Sequence, residues 1–126
     1  MRKSLTFLVI SNLLTGCIYA DGCLYTPQMV NCVDKGKGFP AIARYQKRNS
    51  VGFTNSNIRW DDAVSCGAQR GDDTLKSIIV YNPNGSLNAD YQERFHNCME
   101  NKGYIILKPA DCGYQNPKWD KGVCNL

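Results

Sequence analysis

Apolar residues recur along the chain with two different periods, and the clearest signal is helical. In NADYQERFHNCMENK, residues 88–102, Tyr91, Phe95, Cys98 and Met99 fall at i, i+4, i+7 and i+8. That spacing places them on one stripe of an α-helix. Asp90 and Glu93 near the start and Lys102 near the end suit the helix dipole, and Gly103 stops the helix. A second stretch, VGFTNSNIRWDDAVSCG, predicts a helix over 57–66, capped by Thr54 or Ser56. There Trp60 and Val64 lie one turn apart with Ala63 beside them, and Gly67 follows Cys66 as a left-handed terminator. Two short apolar runs read as strands. One covers 77–81, around Ile78-Ile79-Val80-Tyr81, and breaks at the turn sequence Asn82-Pro83-Asn84-Gly85. The other covers 104–107, Tyr104-Ile105-Ile106-Leu107, and Pro109 closes it. The tail PADCGYQNPKWDKGVCNL offers only Tyr114, Trp119 and Val123 for burial, so it needs covalent ties to stay ordered. The pattern as a whole predicts a small α+β fold with two main helices, short strands and a turn-rich tail.

The N-terminal pattern is of another kind. Arg2 and Lys3 precede LTFLVISNLL, residues 5–14, a charged region followed by an apolar stretch of 10 residues. That is the layout of a secretory signal. It is too short to span a bilayer, which takes about 20 apolar residues. Where the apolar stretch ends, Leu14-Thr15-Gly16-Cys17 resembles the bacterial lipobox. The resemblance implies a diacylglycerol on the Cys17 thiol, cleavage before Cys17 and acylation of the new N-terminus. More than one acyl chain makes such anchoring stable. Ile18 rather than Asp follows the cysteine, which by the rule of enteric-type bacteria implies the outer membrane. A second expectation competes: ordinary cleavage after Ala20, with the small Ala20 in the last position and the bulkier Ile18 two before it.

Cysteine number narrows the scaffold without choosing between these cleavages. The chain of 126 residues has seven cysteines. Lipidation occupies Cys17 and cleavage after Ala20 discards it, so Cys23, Cys32, Cys66, Cys98, Cys112 and Cys124 remain either way. In an exported chain an even set reads as a disulfide framework. Six cysteines allow 15 pairings. A local Cys23–Cys32 bridge is the cheapest to form. A metal site is disfavoured, because there is no C-x-x-C and His96 is the only histidine. No cofactor is called for.

Charge adds a candidate surface. The chain has 15 basic and 11 acidic residues, and loss of Arg2 and Lys3 with the leader leaves 13 against 11, a net charge of +2. That is too weak to argue for nucleic acid. Lys35, Lys37, Arg44, Lys47 and Arg48 nevertheless cluster in residues 35–48, which hold no acidic residue. They form a candidate contact surface for an anionic envelope component, unless Asp61, Asp62, Asp72 and Asp73 answer them in the fold. The 68–87 loop and Tyr25, Tyr45 and Tyr81 are further contact candidates. For catalysis, a Ser-His-Asp hydrolase would have to use His96, which lies beside the apolar stripe and reads as an exposed helical histidine. The Asp61/Asp62 and Asp72/Asp73 pairs point apart on adjacent residues and do not supply facing carboxylates. The expectation is a protein without catalytic residues.

Cys66-Gly67 at one helix end, then Phe95-His96-Asn97-Cys98-Met99-Glu100-Asn101-Lys102-Gly103-Tyr104, then Cys112 … Asn116-Pro117-Lys118-Trp119 … Cys124, resemble small cysteine-rich lipoproteins of Gram-negative bacteria. The Cys-Met-x-x-Lys-Gly-Tyr string is the most specific part, and the resemblance covers about residues 50–126. It implies an address and an architecture rather than a reaction. This chain departs from it by the extra segment holding Cys23 and Cys32. Their arrival together supports pairing them, and leaves Cys66, Cys98, Cys112 and Cys124 as a second set of two bridges. The expected organisation is a signal peptide 1–16, a lipidated segment 17–34 and a cysteine-rich globular domain 35–126. The expected role is a non-catalytic outer-membrane lipoprotein, held to membrane lipid through acylated Cys17, that binds or modulates another envelope protein. The alternative is a freely secreted six-cysteine inhibitor or effector cleaved after Ala20.

Overall fold

Three disulfides close loops that follow one another without nesting: Cys23–Cys32, Cys66–Cys98 and Cys112–Cys124. They staple a small α+β protein in a computed structural model that describes residues 16–20, 22–32 and 35–126. The charged and apolar N-terminal stretch, with Leu14 and Thr15 of the lipobox-like sequence, lies outside the described residues. The chain divides into two compact units, Met1–Lys35 and Gly36–Leu126.

The first unit is an antiparallel three-stranded sheet of β1 (Ile18–Ala20), β2 (Cys23–Tyr25) and β3 (Val30–Cys32). The register pairs Ile18 with Tyr25 and Tyr25 with Val30, and it sets Cys23 opposite Cys32. Directly opposed residues share a face and lie close enough for their side chains to meet, so strand pairing and the disulfide specify the same register. Thr26 closes the β2–β3 turn, its N–H and hydroxyl both donating to the Met29 carbonyl.

The second unit packs two helices on a two-stranded sheet. Helix α1 is Ser56–Ser65, and Asn55, rather than Thr54 or Ser56, caps it by accepting the Ile58 N–H at 3.1 Å. Helix α2 is Ala89–Asn101, capped by Asn88. Phe95 and Met99 from the α2 stripe are fully buried and join Ile42, Tyr45, Ala63, Leu75, Ile78 and Tyr104 in one core. Strand β5 (Tyr104–Ile106) pairs antiparallel with β4 (Tyr45–Lys47), a partner that the hydrophobic pattern did not reveal. Helix α3 (Pro109–Cys112) follows, so Pro109 opens a helical turn instead of only ending a strand.

Two elements differ from expectation. The strand expected over 77–81 is a 3-10 turn, Lys76–Ile78, followed by extended residues and a single bridge between Tyr81 and Leu87. The Asp72 carboxylate accepts the Ser77 N–H at 2.6 Å and the Thr74 hydroxyl at 3.0 Å, which bends the chain there. Helix α1 is also rotated. It buries Arg59 and Ala63, whereas Trp60 is half-buried and Val64 exposed. Arg59, Ala63 and Cys66 stand at i, i+4 and i+7, and the bridge from Cys66 to Cys98 on α2 turns that stripe inward.

The tail is tied to itself by Cys112–Cys124 and to the body by the Asn125 side-chain amide, which donates to the Thr54 carbonyl at 2.8 Å. Gly113 has φ +76, and a Cβ there would press against the Trp119 carbonyl oxygen.

Candidate functional site

Lys47 ends β4 and Lys102 ends the turn of α2 that leads into β5. The Gln46/Lys47 pairing with Ile105/Tyr104 therefore brings two lysines together that are 55 residues apart in sequence. Arg48 follows at the same edge, where its backbone N–H donates to the Gly103 carbonyl at 3.1 Å. Between this edge and the N-terminus of α1 lies a cleft of about 540 Å³, lined by Lys47, Arg48, Lys102, Asn49, Ser50 and Asn55 among others. Among the described residues, three cations line it and no carboxylate does.

The loop that forms the far wall is held by a buried polar network. Gln46 is fully buried. Its side-chain oxygen accepts from the Gly52 N–H at 3.1 Å and the Thr54 hydroxyl at 2.8 Å, and its amide donates to the Ala43 carbonyl. The Lys47 N–H in turn donates to the Thr54 oxygen at 2.9 Å. A satisfied buried network of this kind fixes a loop conformation.

One carboxylate organises the cations from outside the lining. Asp62 lies 3.3 Å from the Lys47 ammonium and 3.5 Å from that of Lys102, and it accepts the Tyr104 hydroxyl at 2.7 Å. Burial pushes the Asp62 carboxyl up. The hydrogen bonds from Tyr104 and Lys47 and the charges of Lys47 and Lys102 outweigh that and hold it below the usual carboxylate range. Tyr104 shifts the opposite way, its phenol raised by burial and by the Asp62 carboxylate. The Lys47 ammonium also sits 4.2 Å from the Tyr104 ring centroid. Behind this group Arg59 is fully buried in α1, and its three guanidinium nitrogens have no hydrogen-bond partner among the described residues. Burial lowers its affinity for the proton. The locality thus sets Lys47, Arg48, Lys102 and Arg59 against Asp62, a positive field focused into a cleft.

The five basic residues singled out in the sequence do not act as one face. Lys47 and Arg48 reach the cleft. Arg44 turns to the Leu107 carbonyl, with its Nε donating at 2.8 Å, and Lys37 is exposed near the tail, where its carbonyl accepts the Gln115 N–H. Lys35 belongs to the first unit. Of the four aspartates that could have answered them, only Asp62 does so. Asp61 pairs with Arg70, Asp72 caps the 3-10 turn, and the Asp73 carbonyl accepts the Ile42 N–H. Tyr25 and Tyr81 are exposed, but Tyr45 belongs to the core. His96 is not an exposed helical residue. It is half-buried, stacked on the Tyr45 ring, with Nδ1 2.7 Å from the Tyr45 hydroxyl. It lines a separate cavity of about 210 Å³ with Arg44 and Tyr45. Among the described residues no group of three or more His, Cys, Asp or Glu side chains could hold a metal ion.

Sequence reasoning missed Lys102, Tyr104 and Arg59 as members of the site. The Cys66 position carried the signal for Arg59, seven residues earlier on the same stripe. Nothing local announced Lys102, because its neighbours are set by β4–β5 pairing. Comparison with protein-family models, curated proteins and solved structures finds no match to this chain.

Proposed function

We propose that this chain is a non-catalytic lipoprotein of the bacterial outer membrane, anchored through acylated Cys17, that binds or modulates an anionic envelope component through the Lys47–Arg48–Lys102 cleft. The observation that carries the anchor is the position of β1. The strand begins at Ile18, the residue after Cys17, and its register with β2 runs from Ile18 to Ala20. Cleavage before Cys17 keeps the whole three-stranded sheet. Cleavage after Ala20, as a freely secreted six-cysteine inhibitor would require, removes β1 entirely and leaves β2 as an edge strand paired only with β3. The three disulfides leave Cys17 exposed with a free thiol, which either cleavage accommodates. Ile18 after the cysteine supports the outer membrane. The charge of the cleft supports an anionic partner, whose groups would meet Arg48 and Lys102 first.

Metabolic labelling with a fatty acid tests the anchor: label is expected in the wild-type chain and absent from Cys17→Ser. Label in both chains, or in neither, would contradict it. Cross-linking in intact envelopes tests the cleft. A partner captured by the wild type should be lost from a combined Arg48→Glu and Lys102→Glu variant, and its undiminished capture would remove the cleft from the account.

A further inference from the structure

The first unit carries an apolar row at one end of its sheet that its own residues do not cover. By the register, Ile18, Tyr25 and Val30 form one cross-strand row, and Ala20, Cys23 and Cys32 form another on the same face, because residues two apart in a strand point the same way. The whole face is apolar, and among the described residues of 16–32 none is charged. Ile18 is 65% exposed, Tyr25 41% and Val30 49%. Met29, in the β2–β3 turn, is 57% exposed.

These residues gather at one end of the sheet. The Ile18–Tyr25–Val30 row is the one next to the 26–29 turn, and the chain enters β1 at that same end. A Cβ on Gly16 would lie 3.5 Å from the Pro27 ring. Cys17 therefore leaves the sheet beside Pro27 and Met29, where the exposed apolar row begins. A sheet three residues long spans about 10 Å along its strands, which matches the depth of about 5–10 Å to which apolar faces enter the headgroup boundary. Tyrosine, with an apolar ring and a polar tip, is the residue type enriched at that boundary.

We infer that the Cys17 end of the β1–β3 sheet lies in the lipid interface, with Ile18, Tyr25, Met29 and Val30 immersed among the headgroups and upper acyl chains of the leaflet that holds the anchor. The inference rests on the anchoring reading above. The occupant of the face is the bilayer because the face is continuous with the attachment residue and carries no charge among its described residues. Pairing satisfies the backbone groups that face one another between the strands, and the outer edges of β1 and β3 keep water as partner at headgroup depth. The sheet then acts as a stiff foot that fixes the height of the anchor.

The test uses the chain from Cys17 onward, with the Cys17 thiol coupled chemically to a maleimide-bearing phospholipid in vesicles of phosphatidylethanolamine and phosphatidylglycerol. The outcome is then independent of whether a cell acylates Cys17, which fatty-acid labelling decides separately. A Tyr25→Trp variant reports on the face, with the parent chain's Trp60 and Trp119 as baseline. The added emission is expected to be quenched by lipids brominated on their acyl chains. It is expected to regain its unquenched intensity when Val30→Asp is introduced, with coupling complete and the Cys23–Cys32 bridge intact by mass. Added emission that stays unquenched in the coupled Tyr25→Trp variant overturns the inference. So does sedimentation of the uncoupled chain as a dimer that Val30→Asp dissociates, since a second copy would then be what covers the face.

Discussion

Replacing Cys66 and Cys98 together by alanine removes the bridge that joins the two helices and sets the rotation of α1. The loss can be sized from loop length, because the three disulfide loops are sequential and removing one does not enlarge another. Closing 32 residues restricts the unfolded chain by about 3.7 kcal/mol, and closing 12 residues by about 2.8 kcal/mol. Both variants also lose packing, since Cys66 lies against the core cluster and Cys112 and Cys124 are themselves buried. The Cys112–Cys124 bridge holds only the tail. On loop closure, removing the interhelical bridge should therefore cost about 0.9 kcal/mol more than replacing Cys112 and Cys124. Urea unfolding of both double variants in non-reducing buffer, followed by far-UV circular dichroism, measures the two losses. Equal losses, or a larger loss for the tail bridge, would refute the reasoning that loop closure and helix rotation are what the Cys66–Cys98 bridge supplies.

Three other perturbations bear on the interior. Arg59→Met should leave stability unchanged or raise it by up to about 2 kcal/mol, because a buried guanidinium without partners is costly and an apolar side chain of similar length is not. A loss above about 1 kcal/mol in the same urea assay would mean that the guanidinium is paired. His96 is held below its ordinary value of 6.5 by burial and by Arg44, against the smaller opposite pull of Glu100. The unfolded chain then takes up the proton first, so this contribution is present above pH 6.5 and is lost as pH falls through the folded value. Thermal melts between about pH 7.5 and 5 should show that decline in the wild type and a shallower one in His96→Gln; identical slopes would contradict the assignment. Gly113→Ala should destabilise the tail by about 1–3 kcal/mol through its positive φ and the contact with the Trp119 carbonyl. The check is faster amide exchange over 113–124 with α2 unaffected.

What could be read in advance follows the range of the forces involved. The α2 stripe was legible because Tyr91, Phe95, Cys98 and Met99 are a local pattern read out by one core, and its ends were marked by Asn88 and Gly103. The α+β class followed from the same local patterns. Strand β4 was hidden inside a basic run, since Tyr45, Gln46 and Lys47 show no alternation. Its Gln46 is buried because a private network satisfies the amide. The 77–81 run has the β-branched composition of a strand but makes only the single Tyr81–Leu87 bridge, and Asp72 bends its start into a 3-10 turn. Arg59 defied the pattern outright, because a charged residue on a core stripe argues against burial until the disulfide phase is considered. The cleft was half legible. Lys47 and Arg48 stood out by charge, whereas Lys102 joins them only through a contact across 55 residues.

The central claim is the covalent attachment of lipid to Cys17, from which the location of the protein and the placing of the β1–β3 sheet at the interface both follow. Intact-mass spectrometry of the chain purified from envelopes tests it most directly. The account predicts a mature protein that begins at Cys17, carries acyl chains and retains three disulfides. An unmodified chain beginning at Asp21 would contradict it.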